Sequence, residues 1–398
     1  MIPVAEALAR ITGAFTPLSA EQVGLTNALG RVLSEDVVSR RSQPPVAVSA
    51  MDGYAVRAED VSSVPTVLKR IGEAPAGSVF EGVVGPGEAV RIFTGGPVPK
   101  GADAIVIQEN TEVDGARITV KESSGPGHYI REAGLDFSQG VVGLKVGTRL
   151  GPAEIGLAAA MNVPWLKVRR RPRIAVMATG DEIVMPGEPI GPHQIVSSNG
   201  PAMSAFIAER GGVPIDLGIA GDTEASIRET AAGAAGADLL VTCGGASVGE
   251  HDLIQSALAP DGLAVDFWKI AMRPGKPLIF GQLGQTPLLG LPGNPVSSMV
   301  CAILFLAPVI EKMLGVEKAP GVAQTARLGH DVMANDRRQD YLRATLARDT
   351  DDALIATPFE KQDSAMLARF VAADCLIVRP PNAPAAKQGD IAEIILLG

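Results

Sequence analysis

Several carboxylates and three cations stand where a turn follows a strand-like run. Asp181 and Glu182 lie in TGDE (179–182), Glu250 and Asp252 in CGGASVGEHD (243–252), and Lys269, Arg273 and Lys276 fall within eight residues around a Pro-Gly turn. Two or three carboxylates hold Mg²⁺ as hard oxygen ligands. Closely spaced cations aimed at one point hold a phosphate or oxyanion. A metal with fixed cations stabilises the charge that develops as a P–O bond breaks, so such a site needs no side-chain nucleophile. Two competing readings stay open: acids at these places also cap helices, which is the preferred reading for Asp222 of GDT (221–223), and the cations also suit a scattered solvent-facing trio.

Other chemistries have less support. Cys243 and His251 share one strand-loop segment, but no third orienting group or acyl-transfer motif accompanies them. His128, His193 and His330 are isolated, and no Cys/His spacing matches a zinc site. GGASVG fits neither GxGxxG with a distal acid nor GxxxxGK[ST], so a nicotinamide fingerprint and an ATP-hydrolysing P-loop are both unsupported.

The elements that must carry these loops are legible between 173 and 314. Strand-like RIAVMAT, VPIDLGIA, DLLVTC, AVDFWKI, PLIFGQL and PLLGL alternate with helical stretches Ser198–Arg210, from Thr223, from His251 and from Pro295. That pattern predicts a wound α/β domain with a largely parallel sheet. TGDE, GDT, CGGASVGEHD, RPGK (273–276) and LPGN (291–294) each follow a strand, which puts them on one edge. Ligands of open parallel sheets bind outside the carboxyl ends of the strands, where helix N-termini offer NH groups to anions. Thr179, Gly180 and Asp181 of the first loop, and Gly244, Gly245, Ser247 and Gly249 of the third, are therefore candidate substrate contacts. Tight βα turns are the plainer reading of any one glycine loop.

Around that domain the texture differs. Residues 1–45 and 140–168 read as a helical domain, with one amphipathic helix at the start and QVGLTNALGRVLSEDVVS as a second helix-like segment; 46–139 read as an inserted β domain, 169–321 as the α/β domain and 322–398 as a small C-terminal β domain. KVRRRPR (167–173) reads as a solvated linker edge. The 398 residues carry a net charge of -9 with 46% hydrophobic and 20% charged residues, which excludes a disordered chain and gives no general attraction to nucleic acid or anionic lipid. Three cysteines form no disulfide framework and fit a reducing compartment. The first segment carries Glu6 and Arg10 where a signal peptide would be apolar, and the longest apolar run, Met299–Ile310, is shorter than the roughly 20 residues that span a bilayer. A soluble, cytoplasmic protein is expected.

MDGYAVRAED (51–60), RIFTGGPVPKGADAIVIQE (91–109), TGDEIV (179–184), CGGASVGEHD, FWKIAMRPGKP (267–277) and LPGNPVSS (291–298) together resemble the molybdopterin molybdenumtransferases, the MoeA family, to which the gephyrin C-terminal region is similar. The resemblance runs nearly end to end. It implies a multidomain α/β plus β protein: an α/β domain similar to the molybdopterin adenylyltransferases, a helical domain with an inserted β domain, and a C-terminal β domain, assembled as a homodimer with its cleft between subunits. It further implies that Mg²⁺ and molybdate act on adenylylated molybdopterin, releasing AMP, with molybdopterin adenylyltransferase and molybdoenzyme maturation proteins as partners and no role for nucleic acid or membrane.

Carried over by motif, the resemblance assigns Asp52, Thr94 and Asp136 to the cleft, Glu182 and Asp252 to the metal and phosphoanhydride, and Lys269, Arg273 and Lys276 to phosphate or oxyanion. Pro292, Gly293, Asn294 and Ser297 would shape the pterin end, and Arg338 and Ser364 match recurring positions of the last domain. Ala246, Gly96, Ser197 and Asp363 depart from the family pattern; the last two alter charge or backbone freedom near the expected contacts. Rival readings are a molybdopterin adenylyltransferase, for which the extra domains are superfluous, and a non-enzymatic dimeric scaffold.

Overall fold

A computed structural model describes residues 1–244, 253–316 and 324–397. Contacts divide the chain into two units, one of residues 1–21, 30–32 and 169–398, the other of 22–29 and 33–168.

In the first unit the apolar runs form β1 (Arg173–Thr179), β2 (Val213–Ala220), β3 (Leu239–Cys243), β4 (Leu263–Lys269), β5 (Pro277–Leu283) and β6 (Thr286–Leu291). They make one sheet in the order β2-β1-β3-β6-β5-β4. β2, β1, β3 and β6 pair in parallel, and β5 runs antiparallel to both β6 and β4. The reversal follows from loop length: Gly284-Gln285 alone joins β5 to β6, whereas a parallel crossover takes a dozen residues or more. The expected largely parallel sheet therefore holds with one strand turned round.

Period-two alternation sends β1 side chains to two cores. Ile174 and Val176 pack with Phe206 and Leu239 on one face, and Ala175 and Met177 with Ile227 and Ile254 on the other. The covering helices are Asn199–Glu209, Glu224–Ala232, Leu253–Leu258 and Pro295–Leu314. The last is long and apolar enough to cross a membrane by length and composition, yet 67% of its apolar 18-residue stretch is buried. It continues through Pro308, past the apolar run legible in sequence, with a π turn over Ala302–Leu306. Proline supplies no N–H to the preceding turn, and such a bulge accommodates the gap.

The N-terminal helix Val4–Gly13 forms as its spacing predicts, but Ala7 and Ile11 enter the core of the α/β domain beside Phe305. It does not join residues 140–168 in a helical domain. QVGLTNALGRVLSEDVVS is not an α-helix either: among the described residues it holds a 3₁₀ turn at Leu25–Asn27 and a strand at Val37–Val38. Gly24 is extended, Gly30 has φ +73°, and β-branched Val37 and Val38 pair with Val142–Leu144, so breakers and β propensity prevail over apolar spacing.

The C-terminal strands Gln324–Leu328, Gln339–Arg348, Leu354–Pro358, Cys375–Arg379 and Ile391–Leu396 close on themselves, because Gln339–Arg348 pairs with both Leu354–Pro358 and Cys375–Arg379. In the second unit, the expected inserted sheet has six strands, in the order Ala104–Ile107, Gly53–Val56, Glu88–Ile92, Thr66–Ala74, Arg117–Val120 and Thr111–Asp114. The rest of that unit packs Leu33, Val37, Leu144 and Leu166 around the helix Pro152–Ala160, which Pro152 opens as expected.

Candidate functional site

The carboxyl ends of β1, β2, β3 and β6, and the amino end of the reversed β5, open on one cavity of about 660 Å³. Thr179, Gly180 and Glu182 reach it from β1, Asp222 from β2, Cys243 and Gly244 from β3, Pro277 from β5, and Pro292, Gly293 and Asn294 from β6. Ser197, Ser198 and Asn199 line it at the start of one helix, and Ser297 in the first turn of another. Gly245, Ser247, Gly249, Glu250, His251 and Asp252 lie outside the described residues.

Close approach builds the floor. Gly244 has φ +99°, and a Cβ placed on it would stand 2.8 Å from the carbonyl oxygen of Thr179 and 2.9 Å from its Oγ1; one placed on Gly293 would stand 3.6 Å from the Gly244 Cα. Only glycine at 244 lets the loops after β1 and β3 meet this way, while Gly293 brings the loop after β6 into ordinary contact with them. Thr179 is 6% exposed, and its Oγ1 has no hydrogen-bond partner among the described residues. A buried hydroxyl without a partner costs free energy unless something occupies the space beside it.

Asp181 and Asp222 tie the first two loops together: the Asp222 N–H donates to Asp181 Oδ1 at 2.9 Å and the Asp181 N–H to Asp222 Oδ2 at 3.3 Å. Asp222 is not the helix cap preferred for it; Thr223 is, its side chain accepting from the Ser226 N–H at 3.2 Å. Glu182 is exposed at the rim and folds its carboxylate back over Gly180. On the far side, Asn199 Nδ2 donates to the Gly293 carbonyl at 2.7 Å, and Asn294 Nδ2 to Ser364 Oγ at 2.9 Å, which leaves the helix beginning at Pro295 with no side-chain cap. Two helix N-termini therefore face the cavity. Burial pushes the Cys243 thiol up to about 12, so it stays protonated and offers no thiolate nucleophile.

The expected cation trio does not converge on the cavity, and none of its members lines it. Lys269 Nζ sits 3.6 Å over the Trp268 ring. Arg273 is held by Asp340, and Met272–Arg273 forms a short strand on the C-terminal sheet, which turns the loop's middle away from β4. Arg338 also pairs locally, its NH2 donating to Asp336 Oδ2 at 2.6 Å.

A cation the sequence reading missed is Arg343. It is fully buried, and its Nε, NH1 and NH2 all lack a partner among the described residues. Burial pulls its guanidinium below the usual value, opposed by the charge of Asp363. Gln362 brackets its backbone, accepting from the Arg343 N–H and donating to the Arg343 carbonyl, both at 3.0 Å, in the loop that carries Ser364 and cavity-lining Ala365. The sequence offers no signal for it: Leu342, Ala344 and Leu346 make the apolar face of this strand, and Arg343 falls on the other face with Tyr341 and Thr345.

Family models match three stretches: the MoeA N-terminal region (domain I and II) over residues 2–162, a probable molybdopterin binding domain over 175–312, and the MoeA C-terminal region (domain IV) over 325–397. A molybdopterin molybdenumtransferase of Nostoc sp. is 38% identical over 82% of this chain and 77% of its own. The chain belongs to the MoeA family. A Bacillus subtilis molybdopterin molybdenumtransferase is 32% identical over 100% of this chain and 94% of its own. A molybdopterin biosynthesis MoeA protein of Pyrococcus horikoshii OT3 superposes with a TM-score of 0.87 at 28% identity, covering 100% of both chains.

The remaining MoeA-type positions lie in the second unit. Thr94 donates both its N–H and its hydroxyl to Asp52 Oδ1, each at 2.7 Å. These bonds, the backbone one first, hold the Asp52 carboxyl below the usual range. Asp136 is exposed and anchored by its N–H, which donates to the Gln43 carbonyl at 2.9 Å.

Proposed function

We propose that this MoeA-family chain transfers molybdenum to molybdopterin, using adenylylated molybdopterin and molybdate as substrates and releasing AMP, as the last step of molybdenum cofactor synthesis. The observation that carries this reading is the buried Thr179 hydroxyl, without a partner among the described residues, in a cavity where four strand-end loops and two helix starts meet. That is an anion site on a protein of net charge -9, so its attraction is local.

Glu182 and Asp222 both line the cavity, and two carboxylates suffice for Mg²⁺, which takes its other ligands from water and substrate phosphates. Among the described residues no group of three or more His, Cys, Asp or Glu side chains is placed to hold a metal, and Asp252 lies outside them. Mg²⁺ held there would neutralise charge on the phosphoanhydride. Thr179 and the NH groups at the start of the Asn199–Glu209 helix bind phosphate oxygens; at the other helix Pro295 has no N–H and the Val296 N–H is already held by the Ser364 carbonyl at 3.0 Å. Pro292, Gly293, Asn294 and Ser297 shape the wall, and Asn199 fixes it through the Gly293 carbonyl.

Arg343 is fully buried and does not line the cavity, and the charge of Asp363 acts as its counter-charge, so it supports the fold behind the site. Lys269 and Lys276 add positive potential; Asp52, Thr94 and Asp136 serve the same reaction in a homodimer.

The test is AMP release from adenylylated molybdopterin, expected to depend on molybdate and to need no ATP. Consumption of ATP with adenylylation of the pterin would overturn the reading in favour of an adenylyltransferase.

A further inference from the structure

Arg273 and Asp340 are arranged as a strut. Asp340 has a side chain only 3% exposed, and it accepts Arg273 Nε at 3.0 Å on one oxygen and Arg273 NH2 on the other. The backbone repeats the connection: Met272 and Arg273 lie in parallel register with Gln339 and Asp340, and the Gln339 N–H donates to the Ala271 carbonyl at 2.9 Å. The turn is closed at its base, where the Ile270 N–H donates to the Lys276 carbonyl at 3.0 Å. At its tip Gly275, with φ +112°, lies so near the core that an ideal Cβ would stand 2.6 Å from Cys301 Sγ. Pro277, at the end of this turn, lines the cavity.

We propose that Asp340 is a positioning residue: through a bidentate hold on Arg273 it fixes the 270–276 turn, and with it Pro277, against the cavity. Arg273 serves the fold and not the phosphate. A buried carboxylate needs its partner, and the two-pronged hold needs the planar guanidinium, which lysine cannot reproduce. A charge so occupied adds little to the attraction of an anion. The kinetic consequence rests on the function proposed above; the structural one does not.

Two measurements on the full-length protein test this. In the first, Asp340→Asn, Arg273→Gln and the double variant are assayed for molybdate-dependent AMP release. A strut predicts that each single change raises KM for the adenylylated pterin about five- to tenfold with kcat within twofold, and that the double is no worse than the worse single. Arg273→Lys, which keeps the charge, is expected to match Arg273→Gln. The proposal is overturned if Arg273→Gln raises KM while Asp340→Asn and Arg273→Lys leave it unchanged, the pattern of a phosphate ligand. In the second, amide hydrogen exchange of Ile270, Met272 and Gln339 is expected to quicken at least tenfold in the Asp340 and Arg273 variants while Ile377, deep in the barrel, keeps its rate; unchanged exchange at all three overturns it. Should Asp340→Asn not fold, Arg273→Lys carries both measurements alone. Should the native enzyme release no AMP, the functional reading falls while hydrogen exchange still decides the strut.

Discussion

The two edges of the wound sheet are built from the same strands and treat polar groups in opposite ways. At the amino edge, Asp238 receives Arg170 NH1 at 2.7 Å and NH2 at 2.6 Å, and the Arg173 N–H at 2.8 Å. At the carboxyl edge, β1 ends on a buried Thr179 hydroxyl that has no partner among the described residues. A polar group that serves only the fold is satisfied within the fold; one left unpaired at a cavity is available to a ligand. Reading function from this sheet therefore means asking which edge leaves its hydrogen bonds unmade, since charged residues occur at both.

The most severe way to break this contrast is to remove charge from the cavity rim. Glu182→Gln is expected to lower kcat/KM for molybdate-dependent AMP release about 10²- to 10³-fold, the scale for losing one charge-stabilising contact. Its thermal midpoint is expected to stay within about a degree, because Glu182 is exposed. Near-normal turnover would remove Glu182 from the chemistry.

Strands and loops of this site were legible because their determinants are local. RIAVMAT, VPIDLGIA and PLIFGQL became strands at the residues their apolar runs mark, and each loop that follows a parallel strand falls on one edge by topology alone. Side-chain pairing was not legible, because it depends on residues far apart in the chain. Arg273 looked available beside Lys269 and Lys276, but its partner Asp340 is 67 residues on. Arg343 went unnoticed for the opposite reason: one arginine in a strand carries no motif, and its meaning comes only from a surrounding that offers its guanidinium no partner. The segment 22–39 looks helical only while its apolar spacing is weighed without the breaks at Gly24 and Gly30.

At the amino edge the expected effect is smaller and falls on stability. Asp238→Ala leaves the Arg173 N–H without its acceptor and frees a partly exposed arginine, which costs about 2 kcal/mol, read from urea unfolding, with kcat/KM within twofold. Burial alone would raise the Asp238 carboxyl, but the Arg170 hydrogen bonds and the Arg173 N–H outweigh it and hold the group below the usual range. The unfolded chain then takes up the proton more readily than the folded one. Asp238 thus contributes stability that is present above the unfolded value of about 3.9 and is lost as pH falls through the depressed folded value. The native protein should lose stability over that acidic range more steeply than Asp238→Ala. Parallel curves would show that the pair is not coupled to folding.

Thr179→Val sharpens the contrast through opposite signs. It deletes a hydroxyl with no partner at nearly constant volume, so the thermal midpoint is expected to hold or rise. If that hydroxyl binds substrate phosphate, KM rises about tenfold, near the worth of one hydrogen bond to a charged group. A lower midpoint with unchanged KM would mean that the hydroxyl belongs to the fold after all, and the two edges would then be alike.

The smallest effect marks where the carboxyl edge itself turns structural. Thr223 stands one residue after cavity-lining Asp222, yet its side chain caps Glu224–Ala232 by accepting the Ser226 N–H. Thr223→Ala should cost about 1 kcal/mol in urea unfolding, the usual worth of an N-cap, and Thr223→Ser should restore most of it. KM should stay put in both variants, because Asp222 is held to Asp181 through its own N–H and not through the cap. A KM that moved with the cap would mean that the start of this helix sets the position of Asp222, and the line between folding and binding residues would have to be drawn one residue later.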